Sequence, residues 1–514
     1  MQSNVLEYLE KGALTVCPEK TAIIDGEVRL TFRQLDVQAR QCAMVIIQKS
    51  GVPKQPIAVF LPRCADAVIA DLGIVYSGNC YANLDSKSPR ERLKKILDNL
   101  GAPVVITSAS LAPILRSIDI PIEQVLLVDA LPTTDVVPGG DKLLQARLEG
   151  LIDTDPLYIM HTSGSTGIPK GVTIPHRGVI DYIDWALKIY PVGESDVIGN
   201  QAPFYFDNST LDFYLSFATG ATLNIIPDQW FSFPAKLIDY LCETGVTTIF
   251  WVPSIMTNIA NSQVLGKSGL PPLRNILFAG EVMPTRTVNH WRKFFSGALF
   301  SNLYGPTEIT VDCTYYIVDR EFSDDEKLPI GFPCRNTDVL ILNDRNEAAA
   351  VNEPGELCVR GTSLAMGYWN DPEKTAKAFV QNPLNAHYPE LIYRTGDLVF
   401  KNERGEIMFT GRKDFQIKHM GYRIELGEIE HAAMQLENIR NACVVYNPER
   451  KEIALYYESD AALTPAAIRE RMSAHVPKYM LPTVFHRMDA LPRNPNGKID
   501  RQTLASQVAA ASNA

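Results

Sequence analysis

LYIMHTSGSTGIPKGVTIPH (157–176) is the stretch on which the fold and chemistry of this chain turn. A strand-like run, LYIM, leads into Thr162-Ser163-Gly164-Ser165-Thr166-Gly167, then Pro169-Lys170-Gly171 and a second strand-like run. The glycines leave backbone N–H groups uncovered, and the hydroxyls of Thr162, Ser163, Ser165 and Thr166 add further donors. With the positive charge of Lys170, the loop is suited to holding phosphate oxygens. It is not a Walker loop, which needs Gly-x4-Gly-Lys-Ser/Thr opening a helix. Here the loop lies between strands and carries Pro169 before the lysine. A polar surface hairpin would also explain serines and glycines, but the closing Pro-Lys-Gly favours the phosphate reading.

Outward from this loop, apolar runs alternate with amphipathic helical patterns as far as about residue 410. PIAVFL (56–61) precedes a helical stretch at 64–77, and SPRERLKKILDNL (88–100) precedes PVVITSA (103–109). Further strand candidates are ATLNII (221–226), TTIFWV (247–252), RNILFAG (274–280) and DVLILN (338–343). Such alternation predicts βα units, largely parallel sheets and an α/β fold. Beyond it, GEIMFTGRKDFQIKHMGYRIE (405–425) reads as short strands and turns. A helix (427–438), two strands (440–446, 452–458), a helix (464–476) and a polar tail ending NPNGKIDR follow. We therefore expect a large N-terminal domain of βα-layered sheets, residues 1–413, and a small mobile α+β domain, residues 414–514.

Composition narrows the function classes. A prior of one domain per ~150 residues suggests three or four units for 514 residues, which two unequal domains also satisfy. Hydrophobic residues make up 46% and charged residues 21%, as in soluble globular proteins. A net charge of -10 argues against a nonspecific nucleic-acid binder. Nine scattered cysteines without a Cys-x-x-Cys pair speak against a disulfide framework or zinc site and for a reducing cytoplasm. The eight histidines form no spaced metal cluster. The N-terminus lacks a signal-peptide pattern, and no apolar run of ~18 residues predicts a membrane span.

The loop resembles the STSGxTG…PKG signature of the adenylate-forming superfamily. Its members are acyl-CoA synthetases, luciferases and the amino-acid adenylation domains of nonribosomal peptide synthesis. Other motifs of that superfamily stand in order along residues 30–500. They are LTFRQL (30–35), more loosely YSGNCYANLDSKSPRERL (76–93), FYFDNSTLD (204–212) and NLYGPTE (302–308). GELCVRG (355–361), YRTGDL (393–398), GRKDFQIKHMGYRIELGEIE (411–430) and NPNGKID (494–500) complete the set.

This resemblance implies an enzyme that uses ATP with Mg²⁺. The residues Thr162–Gly167 and Lys170 would hold phosphates. Tyr304 would stack on adenine, Asn302 would bind its amino group, and Gly305 would lie alongside. Thr307 would meet the α-phosphate and Glu308 would ligate Mg²⁺, a cation that takes oxygen ligands. Asp397 would accept the ribose hydroxyls, supported by Arg412. Lys498 would be the catalytic lysine bridging substrate carboxylate and ribose-phosphate oxygens. Asp414 resembles the hinge about which the small domain turns, bringing His419–Gly421 toward a phosphopantetheine tunnel.

Within the superfamily Asp207 selects the branch, because amino-acid adenylating members pair an aspartate there with the substrate α-ammonium. A buried ammonium needs such a partner. Asp207 would otherwise serve as a helix N-cap. By motif spacing the remaining pocket positions are Asn208, Leu211, Trp251, Leu277, Ala279, Leu303, Val311 and Asp312, a compact and mainly apolar set. Five of them resemble stand-alone prolyl adenylating enzymes: Leu211, Leu277, Ala279, Leu303 and Val311. Asn208, Trp251 and Asp312 depart from that pattern. Asp312 resembles serine-activating pockets, and GRKDFQIKHMGYRIELGEIEH resembles D-alanine–carrier protein ligases, whose pocket has a cysteine where Ala279 stands. His161 replaces a tyrosine found in many relatives. The expectation is activation of a small amino acid, proline first, then serine or D-alanine, with an acyl- or aryl-CoA ligase as the rival. Without a recognisable condensation, carrier or thioesterase segment, the chain is expected to serve a separate carrier protein bearing phosphopantetheine.

Overall fold

The computed structural model describes residues 2–131, 140–164, 169–267, 269–448, 450–459, 461, 463–493 and 499–512. They form two compact units. One comprises residues 1–86, 100–160 and 171–413, the other 87–99, 161–170 and 414–514.

In the larger unit, six parallel strands make the body of a nine-stranded sheet: Thr21–Asp25, Thr222–Ile225, Val197–Asn200, Thr248–Trp251, Asn275–Phe278 and Leu299–Tyr304. Antiparallel Val28–Thr31 closes one edge, and Thr314–Ile317 with Phe332–Pro333 the other. The strands TIFW and NILF are buried at every residue. Helices cover both faces of such a sheet, which is why these strands read as continuous apolar runs.

A seven-stranded sheet has parallel Val125–Leu127, Val105–Thr107, Pro56–Phe60, Cys80–Asn83 and Pro156–Thr162. Lys170–Pro175 lies beside Pro156–Thr162, so the Ser/Gly loop between them joins two neighbouring strands.

The segment DVLILN departs from the βα expectation. Thr337–Leu342 pairs antiparallel with Gly355–Gly361, in a five-stranded sheet completed by Leu391–Lys401, Phe379–Gln381 and Ile407–Arg412. The connection 343–354 holds turns and no crossover helix, and the two strands pair as a hairpin.

The smaller unit holds a hairpin, Gln416–His419 with Tyr422–Glu425, and a three-stranded sheet of Ile439–Asn447, Glu452–Ser459 and Val484–Met488. Helices Leu426–Met434 and Pro465–Met472 pack Ile429, Ala433, Ile468 and Met472 into its core. All nine cysteines are free thiols, six of them buried. Among the described residues no helix is long and apolar enough to cross a membrane.

Candidate functional site

The NLYGPTE motif begins as the strand Leu299–Tyr304 and leaves the sheet at Gly305-Pro306. A single 3-10 turn, Thr307–Ile309, follows, and then Thr310 and Val311 take left-handed backbone with φ of 59° and 65°. Two β-branched residues there are strained, and the surroundings hold them. Thr310 Oγ1 donates to Ser363 O at 2.8 Å. Cys313 N donates to Tyr304 O at 2.8 Å, returning the chain to the sheet edge. A Cβ on residue 305 would lie 2.2 Å from Val311 O and 2.5 Å from the Asp312 Cα, so only glycine fits. This fold-back brings Tyr304, Val311 and Asp312 together.

Asp397 is placed by strand register. It sits opposite Arg412 across the pair Leu391–Lys401 and Ile407–Arg412. Arg412 Nη1 donates to Asp397 Oδ1 at 2.5 Å and Nη2 to Thr395 O at 3.2 Å. Tyr304 donates its hydroxyl to Asp397 Oδ2. Burial, and then the Asp397 carboxylate, push the Tyr304 phenol well above its usual range, so it remains a donor. Asn302 donates through Nδ2 to Pro329 O at 2.7 Å. Glu308 is fully buried and accepts the Tyr368 hydroxyl at 2.8 Å. A polar cluster results in which Tyr304 and Asp397 are buried and Arg412 is partly so, with Thr307 and Glu308 a few residues along the chain from Tyr304.

Thr162 ends its strand, and Ser163, Gly164 and Lys170 flank the loop. Ser165, Thr166 and Gly167 lie outside the described residues, as does Lys498. Asp414 Oδ1 accepts from Gln416 N at 3.2 Å at the entry to the hairpin. His161 has both ring nitrogens buried without a hydrogen-bond partner among the described residues. Burial, reinforced by Arg92, lowers its pKa to about 3, so the ring is neutral.

Asp207 occupies the position before helix Asn208–Thr219, yet its side chain makes no capping hydrogen bond. The carboxylate is buried and lies close enough to Tyr158 to raise that phenol, although burial is the larger cause. Asn208, half-buried, opens the helix. Leu211, Leu277, Ala279, Leu303 and Val311 belong to one apolar cluster that also contains Phe250.

Trp251 does not join them, contrary to the spacing argument. It stands opposite Phe278 in register and so faces away from Leu277, because strand side chains alternate. Its indole N–H donates to Gly199 O at 2.9 Å and its ring meets Phe231 edge-on within a second apolar cluster. Phe250 takes the corresponding place on the first face. Asp312, also buried, accepts the Tyr182 hydroxyl at 2.7 Å, and Tyr182 stacks on Trp185. Sequence reasoning missed Tyr158, Tyr182 and Tyr368. No local sequence pattern marked them.

The AMP-binding enzyme family profile matches residues 10–369, and that of the AMP-binding enzyme C-terminal domain matches residues 428–498. Zwittermicin A synthase ZmaJ of Bacillus cereus is 30% identical over 511 residues, 98% of this chain and 95% of that protein. Tyrocidine synthase 1 of Brevibacillus parabrevis is 32% identical over 510 residues, 98% of this chain. The chain spans only 19% and 45% of two of the long synthases it matches. The Vibrio cholerae adenylation domain AlmE, solved with glycyl-adenosine-5'-phosphate, shares the fold with a TM-score of 0.84 at 22% identity, covering 99% of this chain and 98% of that one. The chain belongs to the AMP-binding enzyme family.

Proposed function

We propose that this enzyme activates a small amino acid as its aminoacyl-adenylate and then transfers it to the phosphopantetheine thiol of a separate carrier protein. The observation that carries the reading is Asp207, a buried carboxylate at a helix start that is not spent on capping. A substrate α-ammonium would neutralise it. Five small or branched aliphatics, Leu211, Leu277, Ala279, Leu303 and Val311, support a compact substrate. The set favours L-proline, with serine or D-alanine next.

In the first step a carboxylate oxygen attacks the α-phosphorus of ATP, the bond to the β-phosphate breaks, and pyrophosphate leaves. Tyr304 and Asn302 would hold adenine, while Asp397, fixed by Arg412, would take the ribose hydroxyls. Ser163, Gly164, Lys170 and the loop residues 165–167 would hold phosphate oxygens, with Thr307 at the α-phosphate. Lys498 would place a cation between the substrate carboxylate and the ribose-phosphate oxygens, offsetting charge as it gathers.

Glu308 fits Mg²⁺ as a single protein carboxylate, and among the described residues no cluster of three metal-type side chains occurs. Mg²⁺ held by one carboxylate plus phosphate oxygens would offset phosphate charge. In the second step the pantetheine sulfur attacks the acyl carbon, the acyl–phosphate bond breaks and AMP leaves, the thiol proton passing to solvent. A turn about Asp414 would separate the two steps.

Amino-acid-dependent exchange of labelled pyrophosphate into ATP, screened over proteinogenic and D-amino acids, tests the reading. One small amino acid should drive exchange. Exchange with fatty or aryl acids alone, and release of a free CoA thioester, would replace it with a CoA ligase.

A further inference from the structure

Both flanks of the loop are held by carboxylates of its own compact unit. Ser163 Oγ donates to Arg423 O at 2.8 Å and accepts from Glu425 N at 3.2 Å. Gly164 N donates to Glu428 Oε2 at 3.3 Å. Across the loop, Lys170 Nζ lies 3.8 Å from Glu425 Oε1, which also accepts from Gln416 Nε2 at 2.6 Å. Glu428 is 2% exposed and forms an ion pair with Arg92, 7% exposed, on helix Arg90–Leu100. Glu91 of the same helix meets His475 at 2.9 Å.

The donors that meet the carboxylates are a backbone N–H, that of Gly164, and the Lys170 ammonium, while the Ser163 hydroxyl is held by the Arg423 carbonyl. Carboxylate and phosphate oxygens both accept from such groups in charge-assisted hydrogen bonds. Two anions on one donor set repel each other, so Glu425 or Glu428 and a triphosphate exclude one another there. Arg92 keeps Glu428 available in its buried position, because a lone carboxylate would be costly to bury.

We propose that Glu425 and Glu428 stand in for phosphate in the nucleotide-free enzyme. ATP must displace them, and their return helps expel pyrophosphate. This rests on the reading of 162–171 as a phosphate loop. The catch lowers apparent ATP affinity by the fraction of molecules in which it is closed, and it ties down Ser163, Gly164 and Lys170 between turnovers.

Two variants test it. Glu425→Gln removes one charge and keeps an acceptor. The pair Arg92→Met with Glu428→Leu removes the ion pair without stranding either charge. ATP dissociation constants of the full chain, measured by titration calorimetry without amino acid, should fall about three- to tenfold in both variants. Hydrogen exchange at 161–164 should speed up without nucleotide and match the parent protein at saturating ATP. ATP affinity that is unchanged or weaker in both variants would overturn the proposal. Lys170→Ala separates the layers. If it leaves ATP affinity intact, the phosphate-loop reading itself fails. If it weakens ATP binding while the other two variants bring no tightening, the catch alone fails.

Discussion

Three buried carboxylates, Asp207, Glu308 and Asp397, organise the site, and each is met differently. Asp397 takes a guanidinium and a phenol, Glu308 takes the Tyr368 hydroxyl, and Asp207 lies at a helix start without capping it. Asp207→Ala should lower kcat/KM for the amino acid about a hundredfold or more in pyrophosphate exchange, the scale of removing one partner of a buried charge pair. The KM for ATP should stay put. A fourth carboxylate, Asp212, carries a pH prediction. Burial raises it from 3.8 to about 7, against the lowering effect of Asn200 and Arg63. The folded protein therefore holds a proton there that the unfolded chain releases above pH 3.8. Its contribution is present in full below the unfolded pKa and is lost as pH rises toward 7. Asp212→Asn should remove that slope, gaining stability over the parent on the order of 3 kcal/mol between pH 4 and 7, read from denaturant titrations at each pH.

At the scale of elements, the turn after Leu299–Tyr304 shows what a short motif can and cannot disclose. NLYGPTE marked the turn, but the left-handed Thr310 and Val311 that close it onto Gly305 have no sequence signature, since neither residue favours that backbone. Gly305→Ala should lower stability by about 1–3 kcal/mol, as overpacking does, and reduce exchange activity as Asp312 shifts. Thermal unfolding followed by circular dichroism would read it. Strands such as Pro56–Phe60, Thr222–Ile225, Thr248–Trp251 and Asn275–Phe278 were legible as apolar runs, whereas Thr21–Asp25, Cys80–Asn83, Val197–Asn200 and most of the helices were not singled out. Trp251 was misjudged because its motif spacing fixed the strand but not which way the residue points, and one step along a strand reverses the face. Tyr158, Tyr182 and Tyr368 were illegible because a side-chain contact between residues distant in sequence, 60 apart for Tyr368 with Glu308 and 130 for Tyr182 with Asp312, leaves no local pattern.

For the whole molecule, the family motifs spread over the chain were legible as an ordered set, and the profile matches at 10–369 and 428–498 agree with them. Substrate choice depends on a few side chains whose geometry the motifs do not encode. Lys498→Ala should reduce aminoacyl-adenylate formation steeply, by about a hundredfold or more if it offsets transition-state charge. Thioester formation from a supplied aminoacyl-adenylate should be nearly unchanged. Equal losses in both half-reactions would contradict a role confined to the first. Chelating Mg²⁺ with EDTA should abolish exchange, and adding the ion back should restore it while the melting temperature without nucleotide stays the same.

The free thiols have a practical consequence for watching such an enzyme at work. Thiolate is the form that reacts with maleimides. Burial holds Cys42, Cys64, Cys80 and Cys358 up to about 12, and Cys443 to about 11. Cys17 and Cys242, partly exposed, are also raised. A cysteine introduced at an exposed position would therefore be labelled first at neutral pH, with every native thiol left in place. Val351 in the larger unit and Met434 in the smaller one, 56% and 47% exposed, offer sites for a fluorophore pair whose energy transfer, compared with and without substrates, would test the proposed turn about Asp414.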